Sequence, residues 1–258
     1  MTAQFIIMKF LDKVLFFISV PKCASCKERL NYGDKGLCNS CLEKYKDSKK
    51  RNCSICAKVL SNCSCTNKYL DSHFIHKHIK VFRYEAGEET PGNMLIYRLK
   101  RDNRSDIVDF LASELSEAIK SSVEINENTI ITSVPRRRAE KLKYGIDHAQ
   151  LLAKRVSKNL CVTYRSLLIS KSKKPQKKTR SSEERLGNAK FKLKNENADL
   201  SGKTVILIDD IVTAGASMGS CAFQIKALMP KKIIGASLAI AYKDSYVPFS
   251  TTDRFYTR

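Results

Sequence analysis

From residue 79 to residue 84 apolar and polar positions alternate with a β-branched bias, which predicts a strand. Pro91-Gly92 interrupts the pattern, and Met94, Leu95, Tyr97 and Leu99 then follow at helical spacing. A polar interval, 100–105, separates this helix from a second one marked by Ile107, Val108, Leu111, Leu115 and Ile119. Residues 129–134 form a short apolar strand stopped by Pro135. Asp147, with Gln150 three residues on, reads as a helix start whose inner face carries Leu151, Leu152 and Val156. The run 205–208 is continuously apolar, as a strand buried on both faces should be, and places Asp209 and Asp210 past its end. A helix over 216–229 closed by Pro230, and a strand over 233–242, complete the pattern. Strands alternating with helices predict an α/β fold with a mainly parallel sheet. Residues 165–200 are polar with little periodicity, and so long a loop inside a compact domain is either a functional lid or disordered.

The segment of about 45 residues around the cysteines is read from its spacing. Eight of the ten cysteines lie between Cys23 and Cys65. Cys23-x2-Cys26 and Cys38-x2-Cys41 are followed by Cys53-x2-Cys56 and Cys63-x-Cys65. Each close pair can point two sulfurs at one ion, and two pairs complete a tetrahedral thiolate site. Sequential pairing is preferred, with Cys23, Cys26, Cys38 and Cys41 on one zinc and Cys53, Cys56, Cys63 and Cys65 on another. Spacing leaves interleaved pairing open, and a histidine from His73, His76 or His78 could replace one of the later cysteines. Four thiolates leave no open position for water, so the expected zinc is structural. The segment has few large apolar groups, and metal supplies the stability that burial lacks. The expected organisation is a zinc-binding module over 1–72 and an α/β domain over 73–258, each with its own core.

At 258 residues and 43% hydrophobic, the chain has enough apolar material for a packed core, which excludes global disorder. No apolar run approaches the roughly 20 residues of a membrane span. The nearest, 14–20, follows Asp12 and Lys13, and no convincing cleavage site stands around residues 22–26. A cytoplasmic location is expected. The formal net charge of +21 favours polyanionic partners: nucleic acid, a phosphate-rich substrate or an anionic surface. Lysine-rich surfaces in general would explain the same number.

The most informative chemistry follows the apolar run. Asp209 and Asp210 lead through Thr213, Ala214, Gly215, Ala216 and Ser217 into a helix. Ligands of open α/β sheets bind at that end of the strands. Helix N-terminal N–H groups bind phosphate, small residues let the backbone approach, and Thr213 and Ser217 add hydroxyls. Adjacent carboxylates suit sugar hydroxyls and a bridging Mg²⁺. There is no G-x-x-x-x-G-K-[ST], so an ATPase is not supported. Receiver domains carry paired acids early, whereas only 48 residues follow Asp210.

This stretch resembles the phosphoribosyl-pyrophosphate (PRPP) motif of type I phosphoribosyltransferases. With the cysteine cluster before it, the chain resembles the ComF family, competence-associated zinc-finger proteins of phosphoribosyltransferase-like fold. Ser133-Val134-Pro135 with Gly145-Ile146-Asp147-His148-Ala149 is similar to the family's second motif, and Pro175-Gln176 with Arg185, Asn188 and Phe191 to its third. The resemblance implies a type I phosphoribosyltransferase-like parallel sheet with a hood and a lid. It implies that Asp209 and Asp210 hold the ribose hydroxyls directly or through Mg²⁺, and that residues 213–217 hold the 5′-phosphate. Val134, Pro135, Arg136 and Arg137 would form the pyrophosphate loop, with Arg138 beside them, and Lys177, Lys178 and Arg185 would lie on the lid. The implied function is PRPP binding with Mg²⁺ and a part in DNA uptake, with transfer to an unidentified acceptor. The alternative is a non-catalytic PRPP sensor or single-stranded-DNA-binding protein that meets DNA-uptake partners.

Overall fold

The structure is a computed structural model and describes residues 21–53, 55–102, 104–137, 142, 145–171 and 191–241. Strands β1 (Ile75–Arg83), β2 (Thr129–Ser133), β3 (Thr163–Tyr164), β6 (Thr204–Val212) and β7 (Lys232–Ile240) form one sheet in the order β1-β7-β6-β2-β3. Every pairing in it is parallel, as the alternation of strands and helices predicts. Strands β4 (Leu168–Ser170) and β5 (Phe191–Leu193) make a separate antiparallel pair. The helices are α1 (Asn39–Lys49), α2 (Lys68–Ser72), α3 (Pro91–Arg101), α4 (Ser105–Lys120), α5 (His148–Asn159) and α6 (Ala216–Lys226).

Period two in β6 explains its continuous apolar run. Ile206 and Ile208 pack in one buried cluster with Leu111 and Leu115 of α4 and Leu152 and Val156 of α5. Val205 and Leu207 pack in the other with Met218, Cys221 and Ile225 of α6. Both faces are covered, so no position in the run can be polar without a partner. Three of the helices are closed at their N-termini by side chains: Asn67 for α2, Thr90 for α3 and, as expected, Asp147 for α5.

Several expectations change. Strand β6 runs to Val212 rather than ending at residue 208, because β7 continues to pair with it through Asp209↔Ser237 and Val212↔Ile240. The two aspartates therefore lie inside the strand. Helix α6 stops at Lys226, and Met229 turns the chain at φ 52 before β7. Strand β1 begins at Ile75, four residues before the alternation does. The expected separate cores are not found. Cys23, Ala24, Leu30, Leu37, Cys41 and Tyr45 share a cluster with Phe82, Leu95 and Ile107, and Cys53, Leu60 and Cys63 share the other with Leu70 and Ile75. Tyr45 meets Phe82 and Phe110 edge-on at 5.6 and 5.4 Å between ring centroids. The cysteine-rich segment is small, and it gains its apolar contacts from the sheet's neighbours instead of from itself.

Candidate functional site

The cysteines fall into two groups, Cys23, Cys26, Cys38, Cys41 and Cys53, Cys56, Cys63, Cys65, with the sulfurs of each group within 4.8 Å of one another. This is the sequential pairing, and no histidine enters either group among the described residues. Around an ion held at about 2.3 Å, sulfurs at tetrahedral corners sit about 3.8 Å apart. Cys26 and Cys38 approach to 3.6 Å, and Cys56 and Cys63 to 3.5 Å. The donor set thus fits a metal ion such as zinc, one in each group.

The same turn is built twice to make these sites. Cys23 N–H donates to the Glu28 carbonyl at 2.7 Å, and Cys53 N–H to the Lys58 carbonyl at 2.8 Å. The chain reverses through Lys27 at φ 65 in one turn and Ala57 at φ 57 in the other. Backbone N–H groups also donate to sulfur: Cys38 to Cys23 at 3.4 Å, Ile55 to Cys53 at 3.4 Å and Cys65 to Cys63 at 3.3 Å. Such bonds favour thiolate over thiol. The histidines lie elsewhere. His78 is buried with Nε2 3.0 Å from Ser237 Oγ, and burial pushes its ring well below the ordinary histidine range, to about 3. His76 pairs with Asp71, and His73 stacks on Tyr69.

The second site lies where the parallel strands end. Strands β2 and β6 are neighbours, so the segment leaving β2 and the loop leaving β6 emerge at the same edge. Val134 N–H donates to the Ile208 carbonyl at 2.9 Å, extending the ladder one residue past β2. Arg136 then turns inward: its N–H donates to Asp147 Oδ2 at 3.1 Å and its Nη2 to Asp210 Oδ2 at 3.0 Å. Lys100, on the last turn of α3, reaches the same Asp210 oxygen at 3.0 Å. The structure therefore brings Asp210, Arg136 and, unforeseen, Lys100 together. Arg137 follows the same segment, while Arg138, Lys177, Lys178, Arg185 and the third motif except Phe191 lie outside the described residues. Phe191 opens β5.

Adjacent strand residues face opposite ways, and the two acids differ accordingly. Burial works to raise Asp210, but Lys100 and Arg136 outweigh it and hold the carboxyl down to about 2. Burial, reinforced by the Asp210 charge, pushes Asp209 up to about 8. Asp209 lies instead within electrostatic reach of Cys221 on α6. The two side chains are thus driven apart, Asp209 toward its neutral form and Asp210 toward its ionised one. His148, at the first turn of α5, is buried with Nδ1 unpartnered, and burial and Arg136 depress its ring to about 4.

After Val212 the chain turns through 213–215 into α6, whose first residues are Ala216 and Ser217, and these five residues together make the loop 213–217. Gly215 sits at φ 86, the left-handed region where a Cβ is disfavoured, and a Cβ there would stand 2.8 Å from Leu70 Cδ2. No side chain caps α6 at Gly215, and the first turn presents its backbone N–H groups at this end of the sheet, the arrangement that suits an anion. Among the described residues no group of metal-ligating side chains gathers at this edge. Asp210 is already paired with Lys100 and Arg136, and burial drives Asp209 toward its neutral form, so these two acids alone do not make a cation site.

No family model matches the chain. It is similar to "Competence protein ComFC" of Bacillus subtilis (strain 168), 26% identical over 195 residues that make up 72% of this chain and 75% of that protein. Among solved structures it is similar to a purine phosphoribosyltransferase from Pyrococcus horikoshii Ot3, with 21% identity over 56% of this chain and 80% of that one at a TM-score of 0.36. An adenine phosphoribosyltransferase from Thermoanaerobacter pseudethanolicus aligns at 14% identity, over 54% of this chain and 82% of that one, with a TM-score of 0.35. No helix among the described residues is long and apolar enough to cross a membrane. The likeness to that competence protein agrees with the resemblance that the sequence motifs carry.

Proposed function

We propose that this chain is a phosphoribosyltransferase-like protein that binds PRPP, with Mg²⁺ carried on the ligand's diphosphate, and acts in DNA uptake. One observation supports the binding reading above the others. Asp210 is held by Lys100 and Arg136 at the edge where loop 213–217 opens α6. That edge offers two cations for a diphosphate, a carboxylate for a sugar hydroxyl and the helix N-terminus of α6 for a terminal phosphate. When ligand enters, Lys100 and Arg136 exchange the Asp210 carboxylate for phosphate oxygens, and the released carboxylate accepts from the ribose. The site's contribution to chemistry is positioning and charge: burial and Arg136 hold the His148 ring well below the ordinary histidine range, and the described residues place no activated nucleophile beside it. The competence role rests on the likeness to ComFC. The eight cysteines hold two structural zinc ions under the same proposal.

Calorimetry with Mg²⁺-PRPP, pyrophosphate and ribose 5-phosphate tests this. Lys100→Met is expected to weaken PRPP and pyrophosphate about tenfold or more, the loss of one charge-assisted hydrogen bond, while ribose 5-phosphate binds nearly as before. Equal loss for all three ligands would reject the division of the site. Turnover of labelled PRPP with candidate acceptors separates an enzyme from a sensor. The net charge of +21 favours a second property, weak binding of single-stranded DNA.

A further inference from the structure

Helix α2 has five residues, too few to be stable alone, yet it stands between the second cysteine group and the loop 213–217. It begins three residues after Cys65. The side chain of its cap, Asn67, makes two bonds. Oδ1 accepts from Leu70 N–H at 2.8 Å, and Nδ2 donates to the Ala214 carbonyl at 3.2 Å. A trans peptide is planar with its C=O and N–H opposed, so fixing the Ala214 carbonyl on Asn67 turns the Gly215 N–H away from α2. Leu70 then occupies the space that a Gly215 side chain would need. Tyr69 does the same at Gly219, where a Cβ would meet its ring at 2.5 Å, and its hydroxyl lies 3.3 Å from Ser220 Oγ.

The other end of this connection is equally fixed. The buried Lys80 donates from Nζ to the Cys65 carbonyl at 2.6 Å, and its ammonium lies beside Cys63. Among the described residues no carboxylate pairs with Lys80, and a buried cation needs a counter-charge. Four thiolates on a divalent ion carry two net negative charges and supply it. His78 N–H donates to the Ser64 carbonyl at 3.1 Å, so residues 64 and 65 are each tied to β1.

We infer that Asn67 is a positioning residue for the loop 213–217, and that through it the metal-bound second cysteine group sets the aim of the loop's N–H groups. The inference rests on reading that loop as the phosphate site. Asn67→Ser keeps an oxygen to cap α2 but loses the amide donor to Ala214. In the full-length protein this variant is expected to retain its metal content and nearly its melting temperature. Hydrogen exchange over 213–219 should accelerate about tenfold, and ribose 5-phosphate should bind about tenfold more weakly, the scale of one hydrogen bond. Cys65→Ser should give the same acceleration at the loop, whereas Cys26→Ser in the first group should not. If ribose 5-phosphate fails to bind the unaltered protein, the phosphate reading falls, and exchange at 213–219 still decides the coupling. Unchanged exchange there in Asn67→Ser would overturn it, whether or not Cys65→Ser folds.

Discussion

Asp209 and Asp210 are neighbours in sequence with opposite electrostatic fates, and this has a measurable consequence. Asp209, raised to about 8, keeps its proton in the folded protein while the unfolded chain releases it near the usual carboxylate value of about 3.9. Its favourable contribution is therefore complete below that value and is lost as pH rises toward 8. Asp210, lowered to about 2, does the reverse: it stabilises above the carboxylate range, and the gain is lost as pH falls toward 2. Asp209→Asn should accordingly melt higher than the unaltered protein at pH 8, with the difference gone by pH 4. Asp210→Asn strands Lys100 and Arg136 and should cost about 2 kcal/mol at pH 7, less than a fully buried pair because Lys100 is a third exposed. Thermal melts of both variants between pH 4 and 8 check this, and parallel profiles would contradict the assignment of the two protonation states.

At the scale of elements, Gly215 joins two requirements that can be separated. Its φ of 86 disfavours any side chain, and Leu70 blocks the space as well. Gly215→Ala should lose about 2–4 kcal/mol, the sum of left-handed strain and overpacking. If packing against α2 matters, Gly215→Ala with Leu70→Ala should lose less than the two single variants together, which urea unfolding of the double-mutant cycle measures. Strict additivity would leave backbone strain as the whole effect. The pattern of legibility follows the same division. The apolar run of β6, the small-residue loop, the Asp147 cap and the cysteine pairs are local in sequence, and each was readable from spacing. Lys100 was not, because it sits in a polar interval that looks solvated and acquires its role only when the fold brings the last turn of α3 to Asp210 of β6. Lys80 was concealed by alternation: a polar residue in an alternating strand implies a solvated face, but the cysteine-rich segment covers it. Asn67 caps a helix too short to leave a periodic signal. The end of β6 was misplaced because charged side chains suggest an exposed end, whereas backbone pairing with β7 carries the strand through both acids.

At the scale of the molecule, the shared cores decide what the metal ions stabilise. A cysteine-rich module with its own core would melt alone when its metal is removed. Here Cys23, Cys41 and Tyr45 pack with β1, α3 and α4, and Tyr45 donates its hydroxyl to Glu114 on α4 at 3.0 Å. Lys49 of α1 pairs with the same Glu114, and Arg104, just before α4, donates to the Lys22 carbonyl. On the other side Cys53, Cys63 and Leu60 pack with Leu70 and Ile75, next to α6. Metal binding is folding free energy for the residues it orders, and those residues form part of both apolar clusters. Native mass spectrometry should find two zinc ions per chain. Removing them with a chelator should lower the melting temperature of the whole protein in one transition, and hydrogen exchange should rise in β1 and α4 as well as in 21–72. A sheet that melts at an unchanged temperature after both ions are gone would show that the apolar contacts across residue 72 contribute nothing to stability.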